Sequence, residues 1–251
     1  MGWVGDGEVE DPISKRREHP VHDGQPFAGL GAIPEGIRAA HEQNAMTGRR
    51  DRLGGMAGSD PKADLHRYLQ AAREALLWKL DGLSEYEIRR PMVPTGTNLL
   101  GLVKHVAGVE LGYFGDSFGR PAPEPMPWLA DDAEPNADMW ATVEESRDQI
   151  VGLYRRAWAH SDATIDTLAL DALGHVPWWP DDRNEVTLHL ILVHVIAETN
   201  RHVGHADIVR ELVDGEVGLR AGNANMAPGD PTWWDSYRNR LEGVAEEAAR
   251  R

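Results

Sequence analysis

The stretch HVIAETNRHVGH, residues 194–205, sets three histidines and a glutamate among residues that otherwise read as buried helix. With roughly 100° per residue and Glu198 at zero, His202 falls near +40°, His194 near −40° and His205 near −20°, while His189 lands on the opposite side. Ile191, Val209 and Leu212 share that strip. The strip is therefore expected to face the core, where ionisable side chains must be paired, neutral or metal-bound. Glu198 and His202 stand one turn apart on one face, a spacing from which both can hold a single ion. The same spacing suits a buried ion pair or a hydrogen bond to a neighbouring helix. It is neither the HExxH of zincins nor the ExxH of di-iron proteins. His105, in an apolar run between Leu102 and Val109, is the candidate third ligand from a facing helix. Two imidazoles and a carboxylate suit a borderline divalent metal such as Zn2+, and three protein ligands leave a position open for water or substrate.

Four helices are expected to carry these residues. Asp60 can cap the first, Pro61 suits its first turn, and Leu65, Tyr68, Leu69, Ala72, Leu76, Leu80 and Leu83 follow a helical stripe. Thr97 or Asn98 can cap the second, which holds His105 together with Leu99, Val103, Val106, Tyr113 and Phe114 as apolar positions. A Pro- and acid-rich crossover follows. The third helix is expected to start at a Thr142–Glu145 capping box and run to about residue 160, with Val143, Ile150, Tyr154 and Trp158 inward. After the insert DALGHVPWWPDDRNE comes the longest helix, 186–214, which Gly215 can end in a left-handed cap. A short C-terminal helix closes the chain. No strand alternation is visible, so the expected class is all-α with a four-helix core, long crossover loops and that short last helix. Residues 1–58 hold 11 of the 26 glycines and no sustained apolar period, and read as a disordered extension ahead of a single domain at 59–251.

The net charge of −15 argues against nucleic acid or anionic membrane as partners. No apolar leader or membrane-length apolar run is present, which makes a cytoplasmic protein the expectation. Cysteine is absent, so thiolate ligands and cysteine nucleophiles are excluded, and any thiol chemistry must use an external thiol. Trp178 and Trp179 in the second insert, and Trp128 in the first crossover, could wall an apolar pocket. Tandem tryptophans also serve as plugs at the end of a helical core. Arg201, at about −60° on the same wheel, could reach a carboxylate on thiol or substrate, or serve a surface salt bridge.

The segments NLLGLVKHVAGVELGYFGDSFGRP and TLHLILVHVIAETNRHVGHADIVRELVDG, with the terminal WWDSY, resemble the DinB-like superfamily of metal-binding four-helix bundles, in the branch of mycothiol-dependent enzymes. The resemblance covers most of residues 60–251. It implies one metal ligand from the second helix and two, four residues apart, from the helix after the long crossovers: His105, Glu198 and His202. The glutamate departs from the usual three histidines but is similar to the His, Glu and His set of mycothiol-dependent maleylpyruvate isomerases. His194 and His205 then stand behind the ligands or line the pocket. The implied activity is metal-dependent S-transfer that conjugates mycothiol, or another low-molecular-weight thiol, to a small electrophile in detoxification. A thiol-dependent isomerase, a metal-dependent hydrolase and a non-catalytic metal-binding stress or interaction module are the alternatives. The implied partners are the thiol and the electrophile, with a homodimer paired through helices.

Deleting residues 1–58 is expected to leave folding and metal content unchanged, with stability shifting by less than about 0.5 kcal/mol. A melting temperature several degrees lower would show that the segment docks.

Overall fold

The computed structural model describes residues 60–251, and the reading of residues 1–58 as a disordered extension lies outside them. Among the described residues the chain is mostly helical, with one two-stranded sheet. Helix α1, Pro61–Trp78, starts as expected, with the Asp60 carboxylate accepting from the Lys62 amide at 3.0 Å. The short α2, Glu85–Arg89, follows a Ser84–Glu87 capping box. Helix α3, Leu99–Glu110, is capped by Asn98, whose side chain accepts from the Gly101 amide at 2.8 Å. It continues through a π turn at Leu111–Gly115 and a 3-10 turn at Asp116–Phe118.

Helix α4, Arg147–Thr167, starts and ends later than the sequence suggests. The Glu145 carboxylate does accept from the Thr142 amide, but it also takes the Lys104 ammonium at 2.9 Å. That holds 142–145 as part of the crossover, leaves Val143 89% exposed, and passes the capping role to Ser146 and Gln149. The second insert forms a small antiparallel sheet of β1, Leu173–His175, and β2, Glu185–Thr187. Three residues per strand are too few for alternation to register in the sequence. Helix α5, Leu188–Asp214, ends in the expected left-handed Gly215, and α6, Pro231–Ala249, follows.

Helix α5 packs along α1 and α3, and α3 packs against α4. Two apolar clusters result. One gathers Leu76, Val103, Ala107, Tyr154, Ala157 and Val203; the other gathers Leu69, Phe114, Ile165, Ile191 and Val195. Between them runs a polar layer. Arg73 on α1 donates to Glu110 on α3 at 3.0 Å and to Asp162 on α4 at 2.7 Å, with Arg73 and Glu110 both fully buried. Burial pushes the Glu110 carboxyl up, against the pull of Arg73. On α5, Glu198, Thr199 and His202 occupy the same interval between Val195 and Val203.

The buried face of α5 differs from the one the sequence suggests. Its buried positions, from Leu188 through Val195, Thr199 and His202 to Arg210, centre roughly 80° from Glu198 on the helical wheel. His202 falls inside that face, whereas Glu198 and His194 lie on its flank and are half-buried. Leu212, His205 and Arg201 are exposed, as is Tyr68 on α1. The apolar period does not separate a buried face from a flank that borders an open pocket. No described helix is long and apolar enough to cross a membrane.

The crossover before α4 lies hard against α3 at Gly101, where a Cβ would sit 1.8 Å from the Met139 carbonyl oxygen. Gly101→Ala is expected to cost about 1–3 kcal/mol by overpacking and to displace residues 137–140. Urea unfolding reads the first effect, and loss of amide exchange protection in the crossover reads the second. An alanine variant as stable as the parent would mean the crossover is not held there.

Candidate metal centre and its pocket

Helix α3 presents His105 toward α5, and α5 presents Glu198 and His202 one turn apart. The three residues offer ligand atoms that all lie within 4.8 Å of one another. His202 Nε2 and Glu198 Oε1 are 3.0 Å apart, His105 Nε2 is 3.9 Å from the same oxygen, and the two imidazole centroids are 4.6 Å apart. Glu198 thus hydrogen-bonds His202 on its own helix and lies close to His105 from the facing one.

The orientation of His105 is fixed from behind. Its Nδ1 stands 2.6 Å from Oδ2 of Asp138, in the 3-10 turn Ala137–Met139 of the crossover. That contact makes Nδ1 the donor to the carboxylate and turns Nε2 toward Glu198. Asp138 is itself held in place by its neighbours. The buried Lys104 ammonium donates to the carbonyls of Ala137 and Trp140, each at 3.0 Å, and Asn98 donates to the Met139 carbonyl at 3.1 Å. The hydrogen bond to His105 keeps the Asp138 carboxyl below the usual range despite its partial burial.

Burial lowers the His202 imidazole, as does the neighbouring charge of His105, while Glu198 opposes both. Burial likewise lowers His194, against the pull of Glu198. Burial pushes the Glu198 carboxyl up, but the His202 hydrogen bond and the surrounding imidazoles outweigh it and hold the group low. His194 and His202 therefore favour the neutral ring beside an ionised Glu198, the form in which such residues bind cations. His202 Nδ1 is buried without a partner among the described residues. The donor set fits a divalent ion of the zinc type, with His105 Nε2, Glu198 and His202 as the residues to hold it.

The centre opens into a pocket of about 710 Å³ that runs along α3 from His105 past Gly108 and Gly112 to Asp116. Trp178 closes one wall, with its ring edge 3.0 Å from where a Cβ on Gly112 would be. His194 lines the pocket, with its ring edge-on to Tyr113 at 4.6 Å and to Trp179 at 5.2 Å. Asp116, Glu124, Asp138 and Glu198 all line the pocket, and among the described residues no lysine or arginine does. Glu124 is met from outside by Arg156 at 2.7 Å.

Of the residues singled out from the sequence, His105, Glu198, His202, His194 and Trp178 are brought together, and Trp179 stands behind the wall. Arg201 is exposed and outside the lining, and His205 is exposed with its ring 5.5 Å from that of His202. The sequence reading missed Asp138, which lies in an irregular crossover with no period to mark it. It also took Tyr113 as an apolar core position, because the π turn that re-aims it leaves no trace in composition.

The family model for mycothiol-S-transferase matches residues 64–215, more than half of the chain and all of the helices that build the site. Among curated proteins none matches. A solved structure described as the conserved protein of locus from Enterococcus faecalis is 17% identical, covers 63% of this chain and 100% of its own, and superposes with a TM-score of 0.46.

In metal-free protein, His194 and His202 are expected to take up protons only below the ordinary histidine value of about 6.5. The unfolded chain binds those protons first, so the stability contributed by the two neutral rings is present above that pH and falls as pH drops through it. Histidine NMR titration reads the effect. Glu198→Gln removes the charge that favours the imidazolium and should lower His202 further; a rise would contradict the assigned electrostatics.

Proposed function

We propose that this chain, which belongs to the mycothiol-S-transferase family, is a divalent-metal-dependent S-transferase that joins mycothiol to a small electrophile. In this reading residues 59–251 form one DinB-like four-helix bundle of α1, α3, α4 and α5, with α6 appended. His105, Glu198 and His202 hold the metal, with Zn2+ the best match to the donors. The observation that carries the reading is the convergence of these three ligand atoms at one end of a pocket, in a chain with no cysteine of its own. An open metal supplies positive charge that favours the thiolate form of an exogenous thiol near neutral pH.

The chain's own residues supply the rest. Asp138 holds His105 in one tautomer and one orientation, so that its Nε2 is available without rearrangement. Glu198 brings a negative charge where a third imidazole would bring none, which moderates the pull of the site on a bound sulfur. His194 lines the pocket one turn before Glu198, and His205 stands on the exposed side of His202. The apolar wall of Val109, Leu129 and Trp178 excludes water from the side on which an electrophile would lie.

The test is metal analysis of the purified full chain, combined with a thiol panel and chlorodinitrobenzene as electrophile. The expected result is one divalent ion per chain and conjugation that requires both the ion and mycothiol. His105→Ala should lose the ion and the activity while keeping the helical circular dichroism. Turnover without any thiol would replace the transferase with a hydrolase, and full metal occupancy in the alanine variant would sink the ligand set.

A further inference from the structure

We propose that the Tyr113 phenol is the hydrogen-bond donor that polarises a carbonyl oxygen of the electrophile, which makes uncharged conjugated carbonyl compounds the preferred substrate class. This deepens the transferase reading and rests on it.

Tyr113 sits in the π turn Leu111–Gly115, half-buried, and lines the pocket between Trp178 and His194. Its hydroxyl oxygen accepts from Trp179 Nε1 at 3.1 Å and from Trp178 Nε1 at 3.5 Å. An indole nitrogen only donates, and a phenol has two lone pairs and one proton. With both lone pairs facing indoles, the group has only its proton left to offer. Among the described residues no carbonyl or side chain accepts that proton. Two N–H groups donating to the oxygen also polarise its O–H bond and make it a stronger donor. The structure thus holds an unused, strengthened donor on the wall of the pocket.

Charge selects what that donor meets. Asp116, Asp138 and Glu198 line the pocket with no arginine or lysine among the described residues, so an anionic electrophile would be repelled where a neutral oxygen acceptor would not. Tyr113 lines the same pocket as His105 and Glu198, so a ligand that enters at that end meets the phenol further along the same wall.

In the reaction the thiol S–H proton leaves to solvent and sulfur forms a bond to the β-carbon. The C=C π pair shifts toward the carbonyl, and the charge that gathers on oxygen is met by the Tyr113 O–H, which keeps its proton. The α-carbon then takes a proton from solvent. The net change is addition of one thiol across one double bond, with no oxidant or reductant.

The experiment compares 4-phenylbut-3-en-2-one, which carries the acceptor, with benzyl chloride, which does not, in the metal-loaded full chain with mycothiol. Tyr113→Phe is expected to lower kcat for the enone about 100-fold, the scale for removal of one such donor, and to lower it far less for benzyl chloride, where only the loss of the acceptor for the two indoles is felt. Equal losses on both electrophiles, or no loss on either, would overturn the proposal. Infrared spectroscopy of a saturated ketone, 4-phenylbutan-2-one, bound to the wild-type protein gives a readout independent of turnover and of the folding of the variant. A carbonyl stretch moved to lower frequency supports the donor, and an unshifted stretch overturns it. Absence of thiol-dependent turnover of either electrophile by the wild type would defeat the transferase reading, while the carbonyl stretch would still judge the donor.

Discussion

A charge taken out of water inside a helical core has to be met by protein atoms, and much of the specific geometry of this chain comes from meeting that demand. Arg73 is fully buried, so its guanidinium is spread over Glu110 on α3 and Asp162 on α4. Removing one partner of such a pair costs about 3–5 kcal/mol, which makes the layer a strong constraint on how α1, α3 and α4 align. Lys79, at the end of α1, reaches Asp207 on α5 at 2.6 Å and so fixes the remaining long helix. The polar layer divides the apolar core in two. Because a one-turn slip of any helix would bring apolar side chains opposite its charges, the layer specifies register more sharply than apolar packing alone would.

The candidate metal centre lies at the same height on α5 and follows the same rule with a different outcome. Lys104 is buried beside His105, and its ammonium is satisfied by crossover carbonyls and Glu145. Satisfying it draws the turn Ala137–Met139 onto α3 and carries Asp138 to the back of His105. A stability requirement on one residue therefore becomes an orientation requirement on the next. Gly101 permits the approach, since any larger side chain would meet the Met139 carbonyl. At Glu198 and His202 the demand is met only in part. The carboxylate accepts from His202 and lies 3.9 Å from His105 Nε2, and His202 Nδ1 has no partner among the described residues. The three ligand atoms lie close enough together that one ion could be shared among them.

The parts of this arrangement legible in the sequence are those with a helical period. His105, Glu198 and His202 stand out because polar groups recur at turn spacing within apolar runs, and the helices that carry them follow from the same period and from their caps. The wheel placed the centre of the buried face about 80° from where packing puts it, because one flank of α5 faces a pocket and apolar residues there look the same as core. Asp138 and Tyr113 escaped for different reasons. Asp138 is positioned by Lys104 and Asn98 through main-chain carbonyls, and carbonyls carry no side-chain signature. Tyr113 is re-aimed by a π turn whose single extra residue does not disturb composition. The strands of the second insert are fixed by pairing across nine intervening residues, 176–184, rather than by alternation within either strand.

The charge of the pocket ties these pieces together. A cavity lined, among the described residues, by four carboxylates and no cationic side chain is costly to keep dry unless the carboxylates are individually engaged. Asp138 is engaged by His105, Glu124 by Arg156, and Glu198 by His202. Asp116, at the far end, is pushed up by burial and has the weakest support. Under the proposed reading the metal offsets the negative charge at one end, and the ligands that enter need carry no charge of their own. In that reading a polar but uncharged thiol would satisfy carboxylate acceptors with hydroxyl and amide donors, whereas a carboxylate-bearing thiol would need a cation that the described lining does not supply. A preference for an uncharged thiol and an exclusion of anionic electrophiles would then have a common source in the distribution of charge along α3 and its crossover.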